Sequence, residues 1–152
     1  MAGVRAWFCG LFRAKDERRP DTSWPEPHWG IEKLRSFAAD HNDFALALYG
    51  QLLQKSGNLF FSPFSIRTAL TMTYGGARNE TAAQMSVALR FTSSDETVHE
   101  AFGELIQRLN AAGGGKYEMA VANSLWSQDG APLRAEFLEL VERHYRGGMS
   151  VV

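Results

Sequence analysis

The side chains that most often carry out chemistry in proteins are sparse in this chain and far apart. The histidines are spaced along the sequence with no i, i+4 pair among them: His28, His41, His99 and His144. A zinc site requires clustered imidazole, thiolate or carboxylate ligands, and the chain has a single cysteine, Cys9. The sequence therefore predicts no metal site, no intrachain disulfide and no Cys-x-x-Cys redox pair.

Motifs for nucleophilic catalysis and for phosphate binding are also missing. The sequence contains no Gly-x-Ser-x-Gly elbow, and no serine stands near a histidine and a carboxylate in a recognisable motif. The glycine run 113–115 before Lys116 lacks the glycine spacing of a phosphate loop, and Tyr117 replaces the serine or threonine that should follow the lysine. We therefore predict a flexible connector at 113–116, no catalytic residue, no cofactor and no enzymatic function.

One motif concerns modification. Asn79, Glu80 and Thr81 form an acceptor sequence for N-glycosylation, which matters only in a chain that is secreted. Asn79 also suits the cap of a helix, with Glu80 in the first turn, where the helix dipole favours an anion. Capping is the simpler interpretation, and glycosylation is the alternative.

The composition is that of an ordinary globular protein and excludes several function classes. The 152 residues are 45% hydrophobic and carry a formal net charge of -1. A protein that binds nucleic acid or an anionic membrane surface through charge needs an excess of lysine and arginine, which this chain lacks. No apolar run approaches the ~20 residues that span a bilayer. We expect neither a nucleic-acid partner nor a membrane partner.

The first part of the chain, residues 1–30, has the pattern of a disordered leader and linker. Its apolar run 6–12 is followed at once by Arg13 in place of the small residues of a cleavage site, so it is a poor secretion signal. Further on, prolines oppose helix formation. These are Pro20, Pro25 and Pro27. The domain is therefore expected at 31–152.

The hydrophobic periodicity of that domain predicts five helices and three short strands. The helices are expected at 40–54, 63–74, 80–89, 94–110 and 132–146, and the strands at 58–61, 117–126 and 149–152. Ser62 and Pro63 supply the cap and the first-turn proline of the second helix. Its predicted inward stripe is Ile66, Ala69, Leu70 and Thr73.

The fourth helix and the strands carry further expectations. The fourth helix is predicted to bury Val98 and Phe102 and to expose an acidic face, formed by Asp95, Glu96, Glu100 and Glu104. The three strands are short and separated by helices, so each needs pairing partners that this sequence does not supply. We infer that the chain is the front portion of a larger α+β fold.

The segment 58–77, which begins Asn-Leu-Phe-Phe-Ser-Pro-Phe-Ser-Ile, strongly resembles the serpins, the serine protease inhibitor superfamily. Three further segments resemble serpin elements in the matching order. Residues 42–49 resemble the first helix, 79–85 the third helix, and 122–128 the second strand of the large sheet A. The resemblance covers about residues 40–152 and concerns the N-terminal portion of the family's fold.

This resemblance implies an architecture and a mechanism. The five helices would be helices A to E, 58–61 a strand of sheet B, and 117–126 and 149–152 strands of sheet A. In a whole serpin, a target serine protease cleaves a reactive-centre loop near the carboxyl end and becomes acylated. It is then distorted as the loop inserts into sheet A. We expect that this chain lacks the loop and does not trap a protease by itself.

The resemblance also implies roles for particular residues. Ser62 and Ser65 match serines of the shutter region beneath sheet A, with helix capping as an equal alternative. Asn123 and Trp126 belong to the sheet A strand motif. The acidic face predicted for the fourth helix differs from the basic fourth helix of heparin-activated serpins, which argues against a heparin partner.

Two other functions stay open. The chain could be a truncated, partly folded gene product without inhibitory function, because 117–126 and 149–152 lack predicted partners. It could also be a non-inhibitory module that binds an extended peptide along the edge of 117–126. Serpins are mostly extracellular, whereas the leader is a poor secretion signal, so the two indications of localisation disagree.

Overall fold

The computed structural model describes residues 29–54, 56–111, 120–145 and 149–152. The elements in these ranges confirm a helix-rich α+β architecture, and they are α1 (Ile31–Leu52), α2 (Pro63–Tyr74), α3 (Asn79–Ala88), α4 (Asp95–Ala111), β1 (Leu125–Ser127), α5 (Ala135–Tyr145) and β2 (Met149–Val151). The predicted connector at 113–116 lies outside the described residues. So does the predicted leader, except for Trp29 and Gly30, of which Trp29 is buried in the core.

The helices begin and end close to the predicted residues, with one exception. Helix α2 has the predicted bounds, and Ser62 caps it as expected. Helix α1 begins at Ile31, although the sequence predicts a start at Asp40. The additional turns are helical because Phe37 packs edge-on against Phe102 of α4, with ring centroids 4.9 Å apart. Burial of this ring outweighs the absence of a capping side chain at Gly30.

The strands are shorter than predicted, and one is absent. Residues 58–61 form no strand, and Phe60 is fully exposed, because no described strand lies beside this segment. Of the strand predicted at 117–126, residues 117–119 lie outside the described ranges and 120–124 have no regular structure. Strand β1 pairs in parallel with β2, and Trp126 is opposite Ser150.

Two clusters of buried side chains form the core. The larger cluster joins α1, α2, α4 and α5, and it contains Trp29, Phe37, Met72, Val98, Ala101, Phe102, Ile106, Val141 and Tyr145. The smaller one contains Phe44, Tyr74 and Leu89. Helices α4 and α5 approach closely at Gly103, where an added Cβ would lie 2.8 Å from the carbonyl oxygen of His144. Only glycine fits this position without displacing the backbone of α5.

Helix α2 is rotated relative to the prediction. The stripe predicted to face inward includes Leu70, which is 42% exposed, and Thr73, which is also exposed. The buried residues lie on the other side of the helix: Arg67, Thr68, Thr71, Met72 and Tyr74. The prediction was wrong because helix periodicity locates an apolar stripe but does not identify the surface that covers it.

Candidate functional site

The two serines that the resemblance assigns to the shutter region lie together at the start of α2. The Ser62 hydroxyl accepts a hydrogen bond from the backbone N–H of Ser65 at 3.2 Å, and it donates one to the Ser65 hydroxyl at the same distance. Ser62 has extended backbone angles, which aim its side chain back at the first turn. The capping role is therefore present in the structure, and the hydroxyl pair faces a partly exposed surface.

The strand motif lies on β1, which packs against α2. Trp126 is in the strand and is 60% exposed, whereas Asn123 precedes the strand and is half-buried. Val121 is outside the strand, and its backbone N–H donates to the Asn110 side-chain oxygen at 2.7 Å. The strand edge predicted over 117–126 is thereby limited, among the described residues, to 125–127.

Asn79 is exposed at the first position of α3, but it does not cap the helix. The capping position is occupied by Arg78, whose side chain makes no capping hydrogen bond. Asn79 has a φ of 53°, in the left-handed region that asparagine tolerates better than most residues. The capping prediction was wrong because Asn79 is itself the first residue of α3, so that Arg78 occupies the capping position.

The most unusual buried residue is Arg67 of α2, whose burial was not predicted from the sequence. Its side chain is fully buried, and its guanidinium lies 5.2 to 5.8 Å from the centroids of four phenyl rings, which belong to Phe37, Phe44, Phe91 and Phe102. Nε donates to the Leu89 carbonyl at 3.0 Å and Nη2 to the Arg90 carbonyl at 3.2 Å. Arg67 thus joins the two core clusters through cation–π contacts and hydrogen bonds.

Burial changes the electrostatics around this arginine. It lowers the pKa of Arg67 to about 10, and the nearby carboxylate of Asp40 opposes that shift. Burial also lowers the pKa of His41, and the charge of Arg67 lowers it further. The signal in the sequence was an arginine in the middle of an apolar helix, where a charge is stable only if its donors are satisfied.

A second titratable cluster lies between α4 and α5. His99 is buried, and its Nδ1 shares a hydrogen bond of 2.6 Å with the Tyr145 hydroxyl. Burial lowers the pKa of His99 to about 4, with a further contribution from the charge of His144. The Tyr74 hydroxyl donates to Asp95 nearby. His99 is therefore neutral at pH 7 and has the environment of a structural histidine, packed between aromatic rings.

The acidic face predicted for α4 is smaller than expected. Asp95 and Glu96 are exposed and Glu100 is half-buried, but Glu104 is buried. Glu104 accepts a hydrogen bond from Arg108 at 2.8 Å, and Arg108 also donates to the Trp29 carbonyl at 2.7 Å. The outward assignment of Glu104 was wrong because this arginine ties the carboxylate to the residue that precedes α1.

The described residues contain neither a candidate metal site nor a helix that could span a membrane. Within them, no group of three or more histidine, cysteine or acidic side chains is placed to hold a metal ion. In the same ranges, no helix has both the length and the apolarity that a membrane span requires. The residues that the resemblance assigns to the shutter region and to the strand motif lie at the start of α2 and in or next to β1, which contacts α2.

Comparisons with known proteins identify the family of the chain. Residues 39–152 match the family Serpin (serine protease inhibitor). The chain is 40% identical over 106 residues to an uncharacterized serpin-like protein of Thermococcus kodakarensis, a match that covers 70% of this chain and 25% of that protein. It is 32% identical over 149 residues to alpha-1-antitrypsin 1-3 of Mus musculus, covering 93% of this chain and 35% of that protein.

Solved structures give the same result. Cleaved kallistatin complexed with heparin superposes with a TM-score of 0.71 at 28% identity, over 78% of this chain and 36% of that one. Cleaved Serpin 42Da superposes with a TM-score of 0.69 at 31% identity, over 79% of this chain and 32% of that one. The chain thus spans about a quarter to a third of the length of these relatives. With the family match over most of its length, this chain belongs to the serpin family.

Proposed function

We propose that this chain is the N-terminal portion of a serine protease inhibitor that works by conformational trapping, and that the chain alone traps no protease. The observation that carries the proposal is the parallel β1–β2 pair, of which β1 contacts α2. In the serpin mechanism the cleaved loop becomes a new strand of the sheet to which these strands would belong. Helices α1 to α5 would form the fixed support beneath that sheet.

The hydroxyl pair of Ser62 and Ser65 has a place in this proposal. Ser62 already caps α2, and the exposed hydroxyl pair has lone pairs left for further donors. In a whole serpin, hydrogen bonds at this point would hold the seam of the sheet until the loop inserts. The two roles are compatible because the capping bond uses only one acceptor position of Ser62.

Heparin activation through α4 is not part of the proposal. Asp95 and Glu96 are exposed at the start of the helix, and Arg108 is engaged with Glu104 and the Trp29 carbonyl. A polyanion would meet like charges at one end of α4 and an engaged cation at the other. The heparin complex of kallistatin concerns that protein.

A matched pair of proteins tests the proposal. The first is the purified 152-residue chain, and the second is a chimera in which residues 39–152 replace the matched part of mouse alpha-1-antitrypsin 1-3. Each is incubated with a panel of serine proteases and analysed by denaturing gel electrophoresis. We expect a detergent-resistant covalent complex with the chimera and none with the isolated chain.

Two results would contradict the proposal. A covalent complex formed by the isolated chain would show that it traps a protease unaided. A chimera that unfolds cooperatively but is only cleaved as a substrate would show that this portion does not support loop insertion. The parent alpha-1-antitrypsin is the positive control for the protease and the gel.

A second candidate is a partly folded product without inhibitory function. The exposure of Leu59, Phe60 and Leu70 favours it, because apolar side chains that stay in water contribute no burial to stability. A sharp thermal transition of the monomeric chain, with an unfolding enthalpy normal for its size, would exclude this candidate. A broad transition without an enthalpy peak would support it.

A further inference from the structure

A cleft of about 550 Å³ lies where the end of α2 and the first turns of α3 and α4 meet α5. This volume is within the range of pockets that hold small ligands. The buried residues Tyr74 and His99 and the half-buried Leu140 are part of its lining. None of the described residues that line it belongs to β1 or β2, so a function of the cleft is independent of the proposed inhibitor role.

His99 has a hydrogen-bond donor that the described part of the chain does not use. The hydroxyl of the buried Tyr145 finds its only acceptor among the described residues in Nδ1 of His99, so the hydroxyl donates and Nδ1 accepts. The imidazole is neutral at pH 7, because burial lowers its pKa to about 4, and its single proton is therefore on Nε2. Within the described ranges, this N–H has no acceptor.

The unused donor of His99 opens into the cleft. The buried nitrogens without a partner in the described ranges belong to His41 and Arg67, so Nε2 of His99 is open to solvent. The two nitrogens of an imidazole point in nearly opposite directions, and Nδ1 points at Tyr145, which is not part of the lining. The ring carbon between them, Cε1, is 3.3 Å from the place of a Cβ on Gly75, which lines the cleft. A nearly closed donor of this kind favours a ligand with an acceptor.

The charges at the rim of the cleft favour a cation. Its described lining contains four carboxylates and two guanidinium groups. The guanidinium of Arg78 already donates to two backbone carbonyl oxygens, at 3.0 and 2.6 Å. Glu96, Glu136 and Glu139 are exposed and make no hydrogen bond or ion pair with another described residue. The excess of unpaired carboxylates produces a negative potential that attracts a positive group.

We propose that this cleft binds a small organic amine that also carries a hydrogen-bond acceptor on an apolar body. The acceptor would take the hydrogen bond from Nε2 of His99. The ammonium group would lie at the rim, among the carboxylates of Glu96, Glu136 and Glu139. The apolar body between them would contact Leu140.

The probe is 6-aminohexanamide, a flexible amine with an amide carbonyl at the other end of its alkyl chain. Hexanamide lacks the ammonium group, and hexylamine lacks the carbonyl. Each is titrated into the purified chain by calorimetry, with the chemical shifts of the histidine ring protons as a second readout. We expect saturable binding of 6-aminohexanamide in the millimolar range, as for other ligands of about nine heavy atoms. Hexanamide should bind about fivefold more weakly and hexylamine about threefold more weakly.

Two pairs of variants assign the binding to the cleft. Glu139→Gln should weaken binding of 6-aminohexanamide about threefold, whereas Glu142→Gln, an exposed carboxylate of the same helix outside the lining, should leave it unchanged. Ala82→Leu adds bulk to the lining of the cleft and should weaken binding at least about fivefold. Ala83→Leu is its control, because Ala83 is exposed on α3 and is not part of the lining.

The proposal fails if 6-aminohexanamide shows no saturable binding, or if either analogue binds with the same affinity. Equal effects of Glu139→Gln and Glu142→Gln would also contradict it. If Ala82→Leu prevents folding, the comparison of the two glutamates still decides the result. If the isolated chain does not unfold cooperatively, the same titrations use the chimera, which contains every described residue of the lining.

Discussion

The two faces of helix α2 differ in polarity and in burial. The face with Arg67, Thr68 and Thr71 is polar in sequence yet buried, whereas the face with Leu70 is apolar yet exposed. The buried face has partners within the chain, because Arg67 reaches the carbonyls of Leu89 and Arg90 and Met72 lies in the larger core cluster. Burial thus follows the available partners more closely than the polarity of the side chains.

The exposed face makes the same kind of bond within the helix, from the Thr73 hydroxyl to the Ala69 carbonyl at 3.2 Å, but Leu70 stays 42% exposed. The chain spans about a quarter to a third of the length of its relatives. We expect that the remainder of a serpin covers Leu70 and Thr73. The following predictions test the contrast between the inner face and the outer face, from the largest effect to the smallest.

The largest difference should appear between two neighbouring apolar residues of α2. Met72→Ala removes a fully buried side chain from the core and should lower the free energy of unfolding by about 2–5 kcal/mol. Leu70→Ala, on the outer face, should cost about 1 kcal/mol or less. Urea denaturation of both variants gives the comparison, and equal losses would show that the two faces are not distinct.

The free energy of unfolding should depend on pH through His99, which is buried. Its pKa in the folded chain is about 4, below the value of an exposed imidazole, so the unfolded chain binds the proton first. Stability should be complete above about pH 6.5 and should fall by roughly 2 kcal/mol between pH 7 and pH 5. The measurement is the free energy of unfolding as a function of pH.

The variant His99→Gln separates this histidine from the others. It should flatten most of the slope, because glutamine does not titrate. A residual slope of the same sign is expected from His41 and His144, whose pKa values burial also lowers. An unchanged pH profile in His99→Gln would contradict the assignment.

Replacement of a glycine by alanine should have opposite effects on stability at a buried position and at an exposed position. Gly103→Ala should destabilise the chain by about 1–3 kcal/mol, because the added methyl group meets the backbone of His144. Gly50→Ala is the matched change on the exposed side of α1, where nothing lies within 4 Å of the new atom. It should stabilise the helix by about 0.5–1 kcal/mol. Thermal unfolding of the pair gives both signs.

The smallest effects on the free energy of unfolding should occur at the N-terminal end of α2. Ser62→Ala removes the side chain that caps α2 and should cost about 1 kcal/mol. Ser65→Ala keeps the backbone N–H and should cost less than about 0.5 kcal/mol. If the chimera loses inhibition with Ser65→Ala while its stability is unchanged, the serine has the shutter role beyond capping.

The difference between local and distant contacts explains which features could be predicted from the sequence. The bounds of α2 were predicted because Ser62 and Pro63 act locally on the first turn. The burial of Arg67 was missed because its acceptors are more than twenty positions away, at Leu89 and Arg90. Local signals give helix ends, whereas the side that becomes buried depends on distant contacts.

The formation of strands depends on distant contacts even more than the burial of a helix face does. Residues 58–61 have the pattern of a buried strand, but a strand is stable only beside a partner, and none of the described residues provides one. β1 and β2 form because each provides the other's partner. Glu104 was misplaced for the same reason as Arg67, since Arg108 links it to Trp29, 79 residues from that arginine.

The most direct measurement compares two threonines of α2 on opposite faces. Thr71→Cys and Thr73→Cys are each made in the isolated chain that carries Cys9→Ser and in the alpha-1-antitrypsin chimera, which does not contain Cys9. The rate of thiol labelling is recorded. In the isolated chain, the cysteine at 73 should label at least about tenfold faster than the one at 71, which is buried. In the chimera, both should label slowly. Equally fast labelling of both in the isolated chain, or fast labelling at 73 in a folded chimera, would contradict the account.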